Sequence, residues 1–463
     1  MPGIRAQRPA LGGRKPLTIG CIAPFTGPRA AVGDRVQASL AAAVAHIDHD
    51  LDGSIDGYRP RVIPADAPLT GADGQKAYAE LLSQKVDAIL WCGSPGLEES
   101  IPDIVRDLMP VIAVGTDLQS RAPFNPRVPD MTTLAASGSP IFQTAVPDTA
   151  AVDLLLEYAR VDRAFESAAL LFSITTHPNM DVYFDAACKR LSMRNAGMVG
   201  YDGAGGNPDM GPPVAALRAT GAPVVVILAP ANEAGAAVAA LDAMGSRYAD
   251  ASVARGPGFH PMVLGGPRSV GDAIFARSAA GHAPVGAVSV GAIGEFSGLP
   301  RFPLRDWASR FAATPERRML AGGEQGPADG LAAVVTAAAR AASTDGADLV
   351  AALESGVQIS FASSVPFQFG ADRHLAVTAG ELTLTTLEVP PGGPYNLGRE
   401  WSEGFLPPGF VGPDLLLDFT FDRNRRAHPQ VMDEILAARI GTSCRTEYQG
   451  GDPGRIAACR AVH

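Results

Sequence analysis

The chain has 463 residues and 47.8 kDa, with 46% hydrophobic, 19% charged and 6% aromatic residues. That composition excludes wholesale disorder, and the length is a prior for two or three domains. A net charge of −10 and a pI near 5.3 give no electrostatic footprint for nucleic acid and no preference for anionic membranes.

No run of about 18 apolar residues is present, so no transmembrane helix is expected. Met1 to Pro16 carries Arg5, Arg8, Arg14 and Lys15 with no apolar segment behind them, so it does not read as a secretory signal. Either the chain is cytoplasmic or an export signal lies outside this sequence. The five cysteines, Cys21, Cys92, Cys188, Cys444 and Cys459, form no CxxC, which argues against a zinc site of that type. Cys21 and Cys92 sit in apolar, strand-like runs and read as buried, inert thiols. Cys444 and Cys459 are close enough in sequence to pair as a disulfide.

Leu17 to Ala23 reads as a buried strand, followed by a Gly- and Pro-rich loop over Pro24 to Val32. Val36, Leu40, Val44 and Ile47 recur at helical spacing. Strands follow at Arg61–Ala65, Val86–Cys92 and Val111–Gly115, separated by helical segments, of which Ala72–Lys85 is one. The pattern restarts with strands at Ala168–Phe172, Gly197–Tyr201, Val224–Leu228, Met262–Gly265 and Val285–Ile293. Helices are expected over Asp181–Met193, Val214–Thr220, Ala231–Met244 and Ala328–Ala342. This alternation predicts parallel sheets covered by helices on both faces, and its restart predicts two similar lobes. Ligands of such sheets sit at the carboxyl ends of the strands, so facing strand ends predict a cleft for a small molecule. From about Pro390 the sequence becomes Pro- and Gly-punctuated.

Catalytic signatures are missing: there is no GxxxxGK[ST], HExxH, GxSxG or strand-linked GxGxxG. His46 and His49 read as a solvated helix end. Asp48, Asp50, Asp52, Gly53 and Asp56 match the opening of a calcium loop, but its twelfth place holds Arg59 where a bidentate Glu is needed. A polar helix-to-strand turn is the better reading.

Several phrases together resemble the type I periplasmic binding proteins of the leucine/isoleucine/valine-binding class. Ile19-Gly20-Cys21-Ile22-Ala23-Pro24-Phe25-Thr26-Gly27-Pro28, then Gly33, is similar to that family's first strand and Thr-Gly-Pro loop. Ala43 to Asp48, Ile55 to Tyr58, Val86 to Leu90, Pro110 to Ile112, Phe142-Gln143-Thr144 and Leu264 to Gly271 follow in family order. The resemblance spans residues 16–388. It implies an α/β Venus flytrap of two Rossmann-like lobes with parallel sheets joined by three hinge strands, plus a loop-rich C-terminal extension. The implied division is 16–143 and 293–360 for lobe 1, 144–292 and 361–388 for lobe 2, and 389–463 for the extension.

The family implies a receptor without catalysis or cofactor that passes a small molecule to an ABC transporter permease in the membrane. Periplasmic or envelope localisation goes with it. A ligand carboxylate would meet Ser94, Pro95 and Gly96 and also Gly115, Thr116 and Asp117. Asp117 departs from the neutral hydroxyl residue common there, and Val32 stands where an aromatic often packs on ligand. Across the cleft, His177 and Ala231 hold positions where aromatics are frequent. Arg268 replaces the acidic residue that pairs with an amino acid's ammonium, which implies an anionic or amide-like ligand. Each position also has a plainer reading: Ser94 and Thr116 as helix caps, His177 as a loop residue, Arg268 in solvent, and Trp401 as an anchor for the tail. A cytoplasmic ligand-sensing regulator on the same scaffold is the alternative. An enzyme lacks a nameable nucleophile–base pair.

Overall fold

A computed structural model describes residues 15–50, 57–123, 128–203, 208–244, 259, 261–267, 269, 287–292, 325–357, 359, 367–377 and 382–386. Arg268, Trp401, Cys444, Cys459, most of the calcium-like loop and the whole 389–463 extension lie outside these residues.

The first half alternates strand and helix: β1 (Lys15–Ala23), α1 (Ala30–Asp50), β2 (Tyr58–Asp66), α2 (Gly71–Ser83), β3 (Ala88–Trp91), α3 (Leu97–Asp107) and β4 (Val111–Ala113). Two short helices, α4 (Leu118–Arg121) and α5 (Met131–Ala136), precede β5 (Ile141–Gln143). The five strands form one parallel sheet in the order β2-β1-β3-β4-β5. Its strands are apolar on both faces because both are covered. Leu17, Ile19 and Cys21 face α1, while Ile22, Ile89 and Trp91 enter a second core with Tyr78 and Leu81 of α2 and Ile104 of α3.

The second half repeats the rhythm: α6 (Asp148–Glu157), β6 (Ser167–Ser173), α7 (Met180–Arg190), β7 (Arg194–Tyr201), α8 (Gly211–Ala219), β8 (Val224–Leu228), α9 (Ala231–Ala243), β9 (Met262–Gly265) and β10 (Val288–Ala292). Period-2 alternation is visible in β8. Val224, Val226 and Leu228 pack with α6 and α7, and Val225 and Ile227 pack with α8 and α9. α10 (Gln325–Ala341) and α11 (Gly346–Glu354) return to the first sheet, where Leu331, Val334 and Leu349 share a core with Leu17 and Ile19. β11 (Leu382–Thr386) closes the second sheet, antiparallel to β10, in the order β11-β10-β9-β8-β6-β7. Among the described residues no helix is long and apolar enough to cross a membrane.

The segment 361–388, expected wholly in the second lobe, divides. Phe367, Phe369 and Ala376 are buried in the first core, and Leu375 bridges Gln143 in parallel with β5. Phe369 packs on Phe142 with ring centroids 5.0 Å apart, which holds this stretch to the first sheet. Among the described residues of this segment, 382–386 pair with the second sheet. Cys21, Cys92 and Cys188 are buried free thiols. Hydrogen bonding to Cys21 together with burial pushes the Cys92 thiol well up, as expected of an inert thiol.

α2 approaches the turn after β3 through Gly74, where a Cβ would lie 2.1 Å from the Pro95 carbonyl oxygen. Alanine is the better helix former by about 1 kcal/mol, but forcing backbone apart costs about 1–3 kcal/mol. Gly74→Ala is therefore expected to lower the urea midpoint of unfolding. A raised midpoint would contradict this packing.

Candidate functional site between the lobes

Parallel strands place their carboxyl ends on one side of each sheet, and the loops there carry the backbone N–H groups and helix starts that meet ligands. In the first sheet the loops after β3 and β4 are brought together by two glycines. A Cβ on Gly115 would lie 2.7 Å from the Gly93 nitrogen, so the strand ends can approach only without side chains. Gly93 and Gly96 have positive φ, 75° and 97°, which turns the chain sharply into α3.

This arrangement unites Ser94, Pro95 and Gly96 with Gly115, Thr116 and Asp117. Ser94 is 3% exposed, and its buried Oγ has no hydrogen-bond partner among the described residues. Its carbonyl accepts the Trp91 indole N–H at 2.8 Å, which pins the turn to the core. Ser94 caps no helix; Gly96 holds the N-cap position of α3. Thr116 is buried beside it. Asp117 differs from both: it caps α4, and its carboxylate is engaged by three donors, the Ser120 N–H, the Gln143 amide and the Asp148 N–H.

The loop after β1 is held by Asp66 at the end of β2. Its carboxylate accepts the backbone N–H groups of Phe25 and Thr26 and the Thr26 hydroxyl. A Cβ on Gly33 would meet the Pro24 carbonyl at 2.5 Å, so α1 tucks closely under this loop. The loop ends in a 3-10 turn, Gly27–Arg29. Arg29 is half-buried. Burial holds its guanidinium below the ordinary arginine range, the like charge of Arg121 adds to that, and Glu233 opposes it. Arg121 itself pairs with Glu98 of α3. Val32, expected to face ligand, packs instead against the first core.

The second sheet supplies the opposite wall. Glu233, in the first turn of α9, is 5% exposed and accepts the Tyr201 hydroxyl at 2.8 Å. Burial raises the Glu233 carboxyl; the Tyr201 hydrogen bond and Arg29 pull it down. Burial and the Glu233 charge drive the Tyr201 phenol upwards. A Cβ on Gly203 would lie 2.8 Å from both Glu233 Oε2 and Ser173 Oγ, so these groups crowd one spot at the ends of β6 and β7. Ala231 is buried in the core that α8 and α9 form with Val225 and Ile227 of β8. His177 follows β6: Nδ1 lies 2.8 Å from Thr176 Oγ1, and Nε2 lies 3.5 Å from Asp148 Oδ2. The sequence reading did not single out Arg29, Tyr201, Ser173 or Glu233. Arg29 lies directly after the Thr-Gly-Pro phrase, and Glu233 lies in the first turn of a helix after a strand; both signals were available.

Among the described residues no three His, Cys, Asp or Glu side chains are grouped to hold a metal ion. The arrangement suits a polar small molecule: hydroxyl and backbone donors plus arginine on one wall, a carboxylate and phenol on the other.

Because the folded Glu233 binds its proton more tightly than an unfolded one, stability falls as pH rises from the ordinary value of 4.5 through the raised one. Glu233→Gln removes that slope. Melting temperatures of the two proteins across acid to neutral pH should diverge in the variant's favour as pH rises; a constant difference would contradict a strained Glu233.

No curated protein matches the sequence. Solved structures do match in fold. A solute-binding protein of an ABC transporter from Rhodopseudomonas palustris BisB5, in complex with 3,4-dihydroxybenzoic acid, aligns with TM-score 0.64 at 18% identity, covering 82% of this chain and 95% of that one. An ABC transporter solute-binding protein from R. palustris in complex with 4-hydroxybenzoate gives 0.63 at 15%, with 82% and 95% covered. A branched-chain amino acid transporter substrate-binding protein from Streptococcus pneumoniae in complex with isoleucine gives 0.60 at 16%, with 81% and 97% covered. A family model described as "Periplasmic binding protein" matches residues 16–386, the span over which the two sheets and their crossings are built. The chain belongs to the periplasmic binding protein family.

Proposed function

We propose that the chain is a solute receptor of an ABC importer that captures a small carboxylate in the cleft between its lobes. The observation that carries this is the close approach of the loops at Gly93 and Gly115, followed in the chain by the buried Ser94 hydroxyl, which has no partner among the described residues. Hydroxybenzoates and isoleucine, bound by structural neighbours, share one group, a carboxylate, and differ in what lies at the other end. A carboxylate fits the Ser94–Thr116 side, where charge-assisted hydrogen bonds in a dry cleft are strong. The Glu233–Tyr201 side offers an acceptor to a ligand hydroxyl or ammonium.

In this reading the ligand meets the first lobe, the second lobe closes, and binding shifts an open–closed equilibrium that the permease senses. Periplasmic location and the permease partner follow from the family. Ser94, Pro95, Gly96, Gly115 and Thr116 line the carboxylate side, Arg29 adds positive charge, and His177 borders the hinge. Asp117 is assigned to the hinge, and Val32 and Ala231 to packing. Arg268, proposed above to favour an anion, lies outside the described residues; Arg29 carries that inference here.

The reading is tested by thermal shift and calorimetry with 4-hydroxybenzoate, 3,4-dihydroxybenzoate, leucine and glutarate, each beside its amide. A ligand at about 100 times its Kd adds roughly 2.7 kcal/mol of stability. At least one acid is expected to bind and its amide to fail; amides binding as well as acids would overturn the carboxylate assignment. For any acid that binds, Arg29→Ala should weaken it by about 1.5–3 kcal/mol, roughly ten- to a hundredfold. Unchanged affinity would remove Arg29 from the site.

A further inference from the structure

Helix α6 opens the second lobe, and its start poses a problem. The first N–H groups of a helix have no partner within it, and Pro147 at the N-cap offers no side-chain acceptor. The acceptors come from the other lobe. Asp117 Oδ2 accepts the Asp148 N–H at 2.7 Å, and Ser120 Oγ accepts the Thr149 N–H at 2.9 Å. Both acceptors follow β4 in the first lobe: Asp117 caps α4, and Ser120 lies within it. The Ser120 and Thr149 hydroxyls also lie 3.1 Å apart.

Asp117 is fixed from the first-lobe side as well. Its Oδ1 accepts the Ser120 N–H and the Gln143 side-chain amide, each at 3.0 Å. Gln143 is fully buried, and its Oε1 accepts the N–H groups of Leu118 and Gln119 at 2.9 and 3.2 Å. Its backbone is bonded to the later crossing segment: its N–H donates to the His374 carbonyl, and its carbonyl accepts the Ala376 N–H, both at 2.8 Å. From α6 the network runs on through the Asp148 carboxylate to His177 in the loop after β6. The β4 turn, Gln143 and the first turn of α6 thus meet at one buried carboxylate, and the later crossing reaches it through the Gln143 backbone.

We propose that Asp117 and Ser120 cap α6 from the opposite lobe and so set the resting angle of the hinge. Asp117 is a positioning residue for closure, not a ligand contact. Rotation of one lobe against the other moves the α6 start away from these acceptors, so the closure equilibrium includes the breaking or remaking of these bonds. This rests on the two-lobed receptor reading, but the following test uses no ligand, so failure to find one leaves the outcome readable.

Amide exchange is followed at single-residue resolution in the ligand-free full chain, with X-ray scattering of the same samples. In Asp117→Ala the Asp148 amide should exchange at least tenfold faster than in the parent. In Ser120→Ala the Thr149 amide should do so. In both, the β8 amides should keep parental rates and the interlobe distance distribution should shift. Unchanged Asp148 and Thr149 exchange would overturn the proposal. So would faster exchange spread equally into β8, or scattering identical to the parent in both variants. Should Asp117→Ala not fold, Ser120→Ala decides by the same criteria.

Discussion

The contact between Gly93 and Gly115 is the constraint on which the site depends. Two parallel strands end side by side, and only bare backbone lets their loops come within van der Waals range. Ser94 and Thr116 are buried next to that contact, and the turn at Gly96 into α3 is packed against Gly71 and Gly74 at the start of α2. Trp91 secures the arrangement from below through its bond to the Ser94 carbonyl. The strand ends are rigid because both sheet faces are covered by helices. The loops after β3 and β4 therefore inherit their geometry from the core.

The opposite wall holds its charge differently. Glu233 is buried, and among the described residues it accepts one phenol hydrogen bond and feels the charge of Arg29 from the other lobe. A buried carboxylate with so few partners is costly in isolation. It is reasonable in a cleft whose polar partner arrives from solution. Asp117 is the contrasting case: equally buried, but satisfied by three protein donors, so it has a structural task. Burial alone does not distinguish a binding group from a fastening group; the count of satisfied hydrogen bonds does.

Most of the framework was legible in the sequence because it is periodic. Leu17–Ala23 and Val224–Leu228 read as buried strands, α9 read as a helix at nearly its observed bounds, and α1 was legible from its apolar face, although it begins at Ala30 inside the stretch read as loop. α6 was not singled out, although Thr149, Asp153 and Glu157 recur every four residues as its partly exposed face and Ala151, Val152, Leu154, Leu155 and Leu156 are buried, so a helical rhythm was there to read. β5 is three residues long, and the Phe367–Ala376 stretch is held by aromatic packing and isolated bridges, neither of which leaves a local pattern. At the site, Ser94 and Gly115 were reachable because turn residues follow strands. Glu233 and Tyr201 meet only in space, 32 positions apart. Val32 packs partly on the first core and Ala231 is buried at the start of α9, and the sequence alone does not tell which way a small apolar side chain turns.

The central claim is that ligand capture closes two lobes on a carboxylate. It is tested most directly by small-angle X-ray scattering of the full chain, with and without a saturating acid shown to bind by calorimetry. The account predicts a smaller radius of gyration in the bound state, with no matching change on adding the amide. Calorimetric binding with an unchanged radius would contradict closure as the mechanism.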